Sequence, residues 1–188
     1  MTTGKDGSQR IVVESGTYVA KYRDGSGLVH TVSTGCRDEG AARSVLGELE
    51  RRAELVKSGV MTAGEDRIAE HQSTSLAEHF EGYRVHLQAR GRTTRHICKT
   101  VNYLKRLAIE CGWSRLNDLQ RECFDRWLAA RRQEDMSART LNSHRVALVA
   151  FCNWAISVER IASNPFSSIP RADEKSDRRL TRRAMTVA

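Results

Sequence analysis

At 188 residues the chain is long enough for one domain or two small ones, and 39% apolar with 29% charged residues describes a core-forming chain rather than a disordered one. No apolar run approaches the roughly 20 residues of a bilayer-spanning helix, and residues 1–9 lack the apolar core of a signal peptide, which argues against membrane and secreted classes. The 31 Lys+Arg against 23 Asp+Glu leave a net charge of +8, and five cysteines without a C-x-x-C pair suit a reducing cytoplasm rather than a disulfide scaffold or zinc site.

The first elements read as a small β-β-β-α module over residues 1–59. Residues 10–14 (RIVVE) have strand character and are followed by a Ser15-Gly16 turn. Residues 17–23 alternate, with Tyr18, Ala20 and Tyr22 on one face and Val19, Lys21 and Arg23 on the other. Asp24-Gly25 with Gly27 signals a hairpin turn, and residues 28–33 supply a third strand. Three strands of this length need a cover. Residues 38–58 provide it as a helix: Asp38 can cap it, Ala42, Val45, Leu46, Leu49, Ala53 and Val56 recur at helical spacing, and Gly59 can close it.

Residues 60–74 read as a connector with one helical stretch near residues 65–70. Residues 75–170 then read as four helices. Ser75 and Glu78 fit a capping box before the stripe Leu76, Phe80, Tyr83 and Leu87. Gly91 separates this helix from a second over residues 93–111. A third follows the turn at residues 113–118 and buries Cys123, Trp127 and Leu128. The fourth is capped by Ser137, continues to about Glu159 and stops before Asn164-Pro165, because proline disfavours helix at the residue before it. Residues 171–188 form a charged, flexible tail.

The charge is unevenly distributed. Residues 1–72 hold 10 Lys+Arg against 11 Asp+Glu, residues 73–170 hold 15 against 9, and residues 171–188 hold 6 against 3. In the second helix of the helical module, Ile97, Val101, Leu104, Ala108 and Cys111 fall within an arc of about 80°. Arg92, Arg95, Lys99, Asn102 and Arg106 occupy the opposite side, with no carboxylate among them, and Thr93 starts the helix. A one-sign strip repels itself, and a phosphate backbone relieves that repulsion. The fourth helix is apolar nearly all round beyond Val146, which marks a central core helix. Its first turns carry Arg139, Thr140, Asn142, Ser143, His144 and Arg145, suited to phosphate at a helix N-terminus and to base edges. Lys21, Arg23 and His30 are further contact candidates on the sheet. Arg178, Arg179, Arg182 and Arg183 could track a backbone. A basic strip that docks an acidic protein is the alternative to nucleic acid. Trp113, Trp127 and Trp154 occupy core positions. No P-loop, dinucleotide turn, G-x-S-x-G or metal-spaced cluster occurs, so no cofactor, metal or small-molecule substrate is expected.

The helical module resembles the SAM-like core-binding domain of tyrosine recombinases, the phage-type integrases, through SLAEHFEGYRVHLQARGRTTRHICKTVNYLKRL, WLAARRQEDMSARTLN, FCNWAI, NPF and RRLTRRAMT. The β-β-β-α module is similar in layout to the arm-binding domain that precedes it in many integrases. The resemblance implies an α+β chain: a three-stranded antiparallel sheet with one helix, then a four-helix core-binding domain that clamps one face of double-stranded DNA. It places core-site contacts on the second and fourth helices, the strips the helical wheel picks out. Other recombinase protomers on DNA are implied partners, and a mobile-element protein of a bacterial or phage-type, nucleoid-associated cytoplasm is implied as the setting. Family catalysis needs Arg, Lys, an H-x-x-R box and a nucleophilic Tyr. None of the six histidines has Arg at its third following position, and all four tyrosines lie in the two binding modules. The expected role is therefore DNA binding in integration and recombination without an enzymatic step, residues 171–188 leading toward a catalytic domain.

Overall fold

The computed structural model describes residues 16–177 and, in backbone only, residues 2–3 and 9–10. The chain divides into two compact units, residues 1–66 and 67–188.

In the first unit, β1 (Thr2–Thr3) pairs antiparallel with β2 (Gln9–Arg10), and β3 (Val19–Arg23) pairs antiparallel with β4 (Val29–Ser33). Each sheet thus has two strands where the sequence suggests one sheet of three; residues 11–14 of the expected first strand lie outside the described residues. The β3–β4 turn is built by Asp24, whose carboxylate accepts hydrogen bonds from the Ser26 and Leu28 amides, both at 2.9 Å. Gly27 takes φ +88°, and a Cβ on Gly25 would strike Val56, so each glycine answers a separate demand.

Helix α1 (Glu39–Lys57) is capped by Asp38, which accepts from the Ala41 amide at 2.8 Å, and Gly59 follows its end at φ +74°. Its fully buried residues are Ala42 and Ala53, while the larger members of the expected stripe are half-buried. This unit therefore packs on small side chains, and Tyr18, Val19, Leu28, Val29 and Val32 stay exposed. Helix α2 (Ala63–His71) occupies most of the expected connector.

The second unit contains four main helices: α3 (Leu76–Ala89), α4 (Thr94–Cys111), α5 (Arg121–Gln133) and α6 (Ala138–Ser157). Three begin as the sequence suggests. Ser75 accepts from the Glu78 amide and donates to the Glu78 carboxylate at 2.9 Å, and Thr93 and Ser137 accept from the amides of His96 and Thr140. Gly112 in the left-handed region ends α4. Leu76, Phe80, Tyr83 and Leu87 from α3, Leu104 and Leu107 from α4, and Leu148, Phe151, Trp154 and Ala155 from α6 share one core. Helix α6 is its axis, with Phe151, Cys152 and Ala155 fully enclosed. The core is closed after α6 by Phe166 and Ile169. Asn164 sets their approach: its amide donates to the Val149 carbonyl and Asn153, and its oxygen accepts from the Phe166 amide.

Residues 171–177 are not a free tail. They pack on the start of α6 through hydrogen bonds to Asn142 and Ala138. Among the described residues no helix is long and apolar enough to cross a membrane.

Candidate nucleic-acid interface

Helix α4 segregates its side chains as its sequence demands. Ile97, Val101, Leu104 and Leu107 are buried, with Ala108 and Cys111 half-buried beside them. Arg92, Thr93, Arg95, Lys99, Asn102 and Arg106 are all exposed. Thr93 spends its hydroxyl oxygen on capping. The exposed Lys99 ammonium lies 5.7 Å from the centre of the Tyr103 ring.

The strip is not uniform in charge. Arg106 Nε donates to Glu110 at 2.7 Å. Trp127 Nε1 donates to the other Glu110 oxygen at 2.5 Å, and Arg131 stands 3.9 Å from it. Partial burial would raise the pKa of Glu110, but the hydrogen bonds and positive charges around it outweigh that and hold it below its ordinary value. Glu110 is therefore a fixed anion, and Arg106 is offset by it. The carboxylate escapes a search of the polar strip because it sits one turn beyond, toward α5. Arg92, Arg95 and Lys99 pair with no carboxylate among the described residues.

The expected contacts at the start of α6 divide more sharply. Arg139 is exposed and Thr140 half-buried, its hydroxyl 2.9 Å from that of Ser137. His144 is buried: Nδ1 donates to the Thr140 carbonyl at 3.0 Å, and its ring packs on Tyr103 and Trp127 at 4.3 and 4.9 Å. Burial lowers its pKa, so the ring is neutral and belongs to the core. Arg145 Nε donates to the Ile169 carbonyl at 2.6 Å, fastening the segment after α6. Asn142 is buried, with its amide donating to the Ala172 carbonyl and to Glu174. Neither His144, Arg145 nor Asn142 faces outward as the sequence suggests, because α6 turns this side toward α4, α5 and residues 169–174.

What the separate helices do not reveal is the groove between them. Helices α4 and α6 flank an open groove of about 380 Å³ whose lining includes His96, Lys99, Tyr103, Arg139 and Asn142, together with Arg171 and Glu174. A second groove of about 460 Å³ shares His96 and adds His86, Arg90, Arg92 and Asn153. His96, Arg90 and Arg171 were not singled out by the helical wheel. They flank the polar strip instead of lying on it, and a single-helix projection cannot show that two helices converge there.

On the first unit, cross-strand partners Tyr22 and His30 share one face, so His30 lies opposite Lys21 and Arg23 rather than beside them. His30 Nε2 lies 2.7 Å from Asp24, whose carboxyl is held down to about 2, first by the Ser26 hydroxyl against a smaller desolvation effect and then by His30 and the turn amides. Lys21 and Arg23 are exposed on the other face, Arg23 donating to the Gly27 carbonyl. Arg178, Arg179, Arg182 and Arg183 lie outside the described residues. Among the described residues no cluster of His, Cys, Asp or Glu could hold a metal ion, and the five thiols are unpaired.

Residues 76–159 match the family model of the phage integrase N-terminal SAM-like domain. A crystal structure of a lambda integrase dimer bound to a COC′ core site matches 88% of this chain at 19% identity and a TM-score of 0.50. The match covers 47% of that integrase, so the chain spans about half its length. No curated protein matches the sequence. The matched residues span helices α3–α6, whose fold is thus similar to that SAM-like domain.

Proposed function

We propose that this chain is a double-stranded DNA-binding part of an integrase-like site-specific recombinase, and that its helical domain (residues 75–170) grips the duplex with the α4–α6 face. The observation that carries the reading is the set Arg92, Arg95, Lys99 and Arg139, all exposed with no ion-pair partner among the described residues, Lys99 and Arg139 lining the α4–α6 groove and Arg92 the adjoining one. The likeness to an integrase on its DNA core site supports it at the level of fold. Phosphate neutralisation supplies affinity in this reading, and the exposed Asn102, Thr93 and Arg139 are the groups proposed to bias it toward particular bases. Within these 188 residues the role is binding, with DNA integration and recombination as the process served and other protomers on the same duplex as partners. The bacterial or phage-type cytoplasm is its setting.

A salt titration on duplex DNA tests this. Four neutralised phosphates predict a fall of log K with log salt at a slope of about −3.6, at roughly −0.9 per phosphate. A slope near zero, or no affinity at low salt, refutes the reading and leaves an acidic protein as the partner of the strip.

A further inference from the structure

Residues 171–177 follow the core-sealing segment and fold back over the first turn of α6. Four hydrogen bonds hold them there. The Ala172 amide donates to Asn142 Oδ1 at 2.8 Å, and Asn142 Nδ2 donates to the Ala172 carbonyl at 2.9 Å and to Glu174 Oε1 at 2.7 Å. The Ala138 amide donates to Asp177 Oδ2 at 2.5 Å. The last of these puts a carboxylate on the positive end of the α6 dipole, where a DNA phosphate would otherwise be accepted. Glu174 also lines the groove that holds Lys99 and Arg139. No residue of 171–177 is fully buried, so apolar packing does not lock the segment in place.

We infer that residues 171–177 are a displaceable strap whose Glu174 and Asp177 carboxylates occupy phosphate positions on the α6 side of the interface and lower its affinity for DNA until the duplex expels them. The inference rests on the DNA-binding reading and regulates the same face. Displacement would free the Asn142 amide, an expected base-reading group engaged by the strap itself, together with the first amide of α6. Binding the duplex and releasing the strap are then one step, and the apparent affinity is reduced by the fraction of molecules in which the strap is seated.

The test uses the full chain carrying Glu174→Gln and Asp177→Asn, which keep side-chain size and remove both charges. Fluorescence anisotropy on a duplex at about 0.1 M salt should show binding on the order of tenfold tighter than wild type. A charge-matched variant, Glu122→Gln with Asp125→Asn on α5, should gain less than about twofold, because those carboxylates are outside the groove. Equal gains in the two variants overturn the strap and assign the effect to net charge. Wild-type binding without any gain in the strap variant overturns the strap while leaving the DNA reading intact. Absence of binding by every form at low salt overturns both. Independently, the Asn142 side-chain amide resonances should shift when wild-type protein is saturated with duplex, and unmoved resonances refute displacement.

Discussion

Lys99 and Arg106 occupy the same polar strip of α4 and look equivalent in sequence, yet they should contribute very differently to DNA binding. Lys99 lines the groove beside the Tyr103 ring and has no ion-pair partner among the described residues, so a phosphate can take its charge. Arg106 already donates to Glu110 at 2.7 Å, and Glu110 is held ionised by Arg106, Trp127 and Arg131. A phosphate approaching Arg106 meets a nearly neutral pair. Lys99→Gln should therefore lift the slope of log K against log salt by about 0.9, so that between 50 and 200 mM salt the variant loses about 3.5-fold less affinity than wild type. Arg106→Gln should change that slope by less than about 0.3. Its cost in stability should also be small, at most about 1 kcal/mol, because the Arg106 side chain is 46% exposed and the pair is screened by water. Anisotropy titrations of the three proteins on one duplex at five salt concentrations separate the outcomes. Equal slope changes for Lys99→Gln and Arg106→Gln would show that Glu110 does not offset Arg106 and would refute the division of the strip.

Phe166 comes from the loop after α6, is fully buried and packs its ring 5.7 and 5.8 Å from Trp113 and Phe124; Phe166→Ala should cost about 3–5 kcal/mol in denaturant unfolding, and a loss under about 1 kcal/mol would mean the loop does not seal the core. His71, His79 and His144 all have pKa values lowered first by burial, that of His79 to about 4. The native state therefore refuses protons that the unfolded chain accepts. Stability is complete above about pH 6.5 and declines as pH falls toward 4, and melting temperatures between pH 7.5 and 4.5 should show it. In His79→Gln that decline should be shallower, and an unchanged pH profile would refute the assignment. Incubation with a nicked suicide duplex should give no covalent protein–DNA adduct, and trapping one would show a nucleophile at work in these 188 residues.

The sequence exposes helices by the period of their apolar residues and the chemistry of their caps, and both are local. Ser75, Thr93 and Ser137 mark starts, and Gly112 marks an end, because each satisfies or terminates a backbone ladder within four residues of itself. The three tryptophans are core for an equally local reason: each occupies an apolar position of its segment, and all three are buried. In the first unit the helix buries alanines, so the amphipathic signal of Val45, Leu49 and Val56 overstates how deep that face sits.

The interface shows where local reading stops. A helical wheel ranks residues by angle about one axis, and by that measure Arg106 equals Lys99, while Asn142, His144 and Arg145 equal Arg139. Their fates diverge through partners that are remote in sequence: Trp127 for Glu110, Ile169 for Arg145, Ala172 and Glu174 for Asn142. The same contacts explain why polar residues were placed at the start of a helix whose other end is wholly apolar. They are the means by which the chain after α6 is returned to it, and only Arg139 among the cations there is left to the solvent. A polar helix start is thus weak evidence for a ligand until the returning segment has been traced. An exposed strip such as Arg92, Arg95 and Lys99, with no ion-pair partner among the described residues, is the stronger mark of a polyanion.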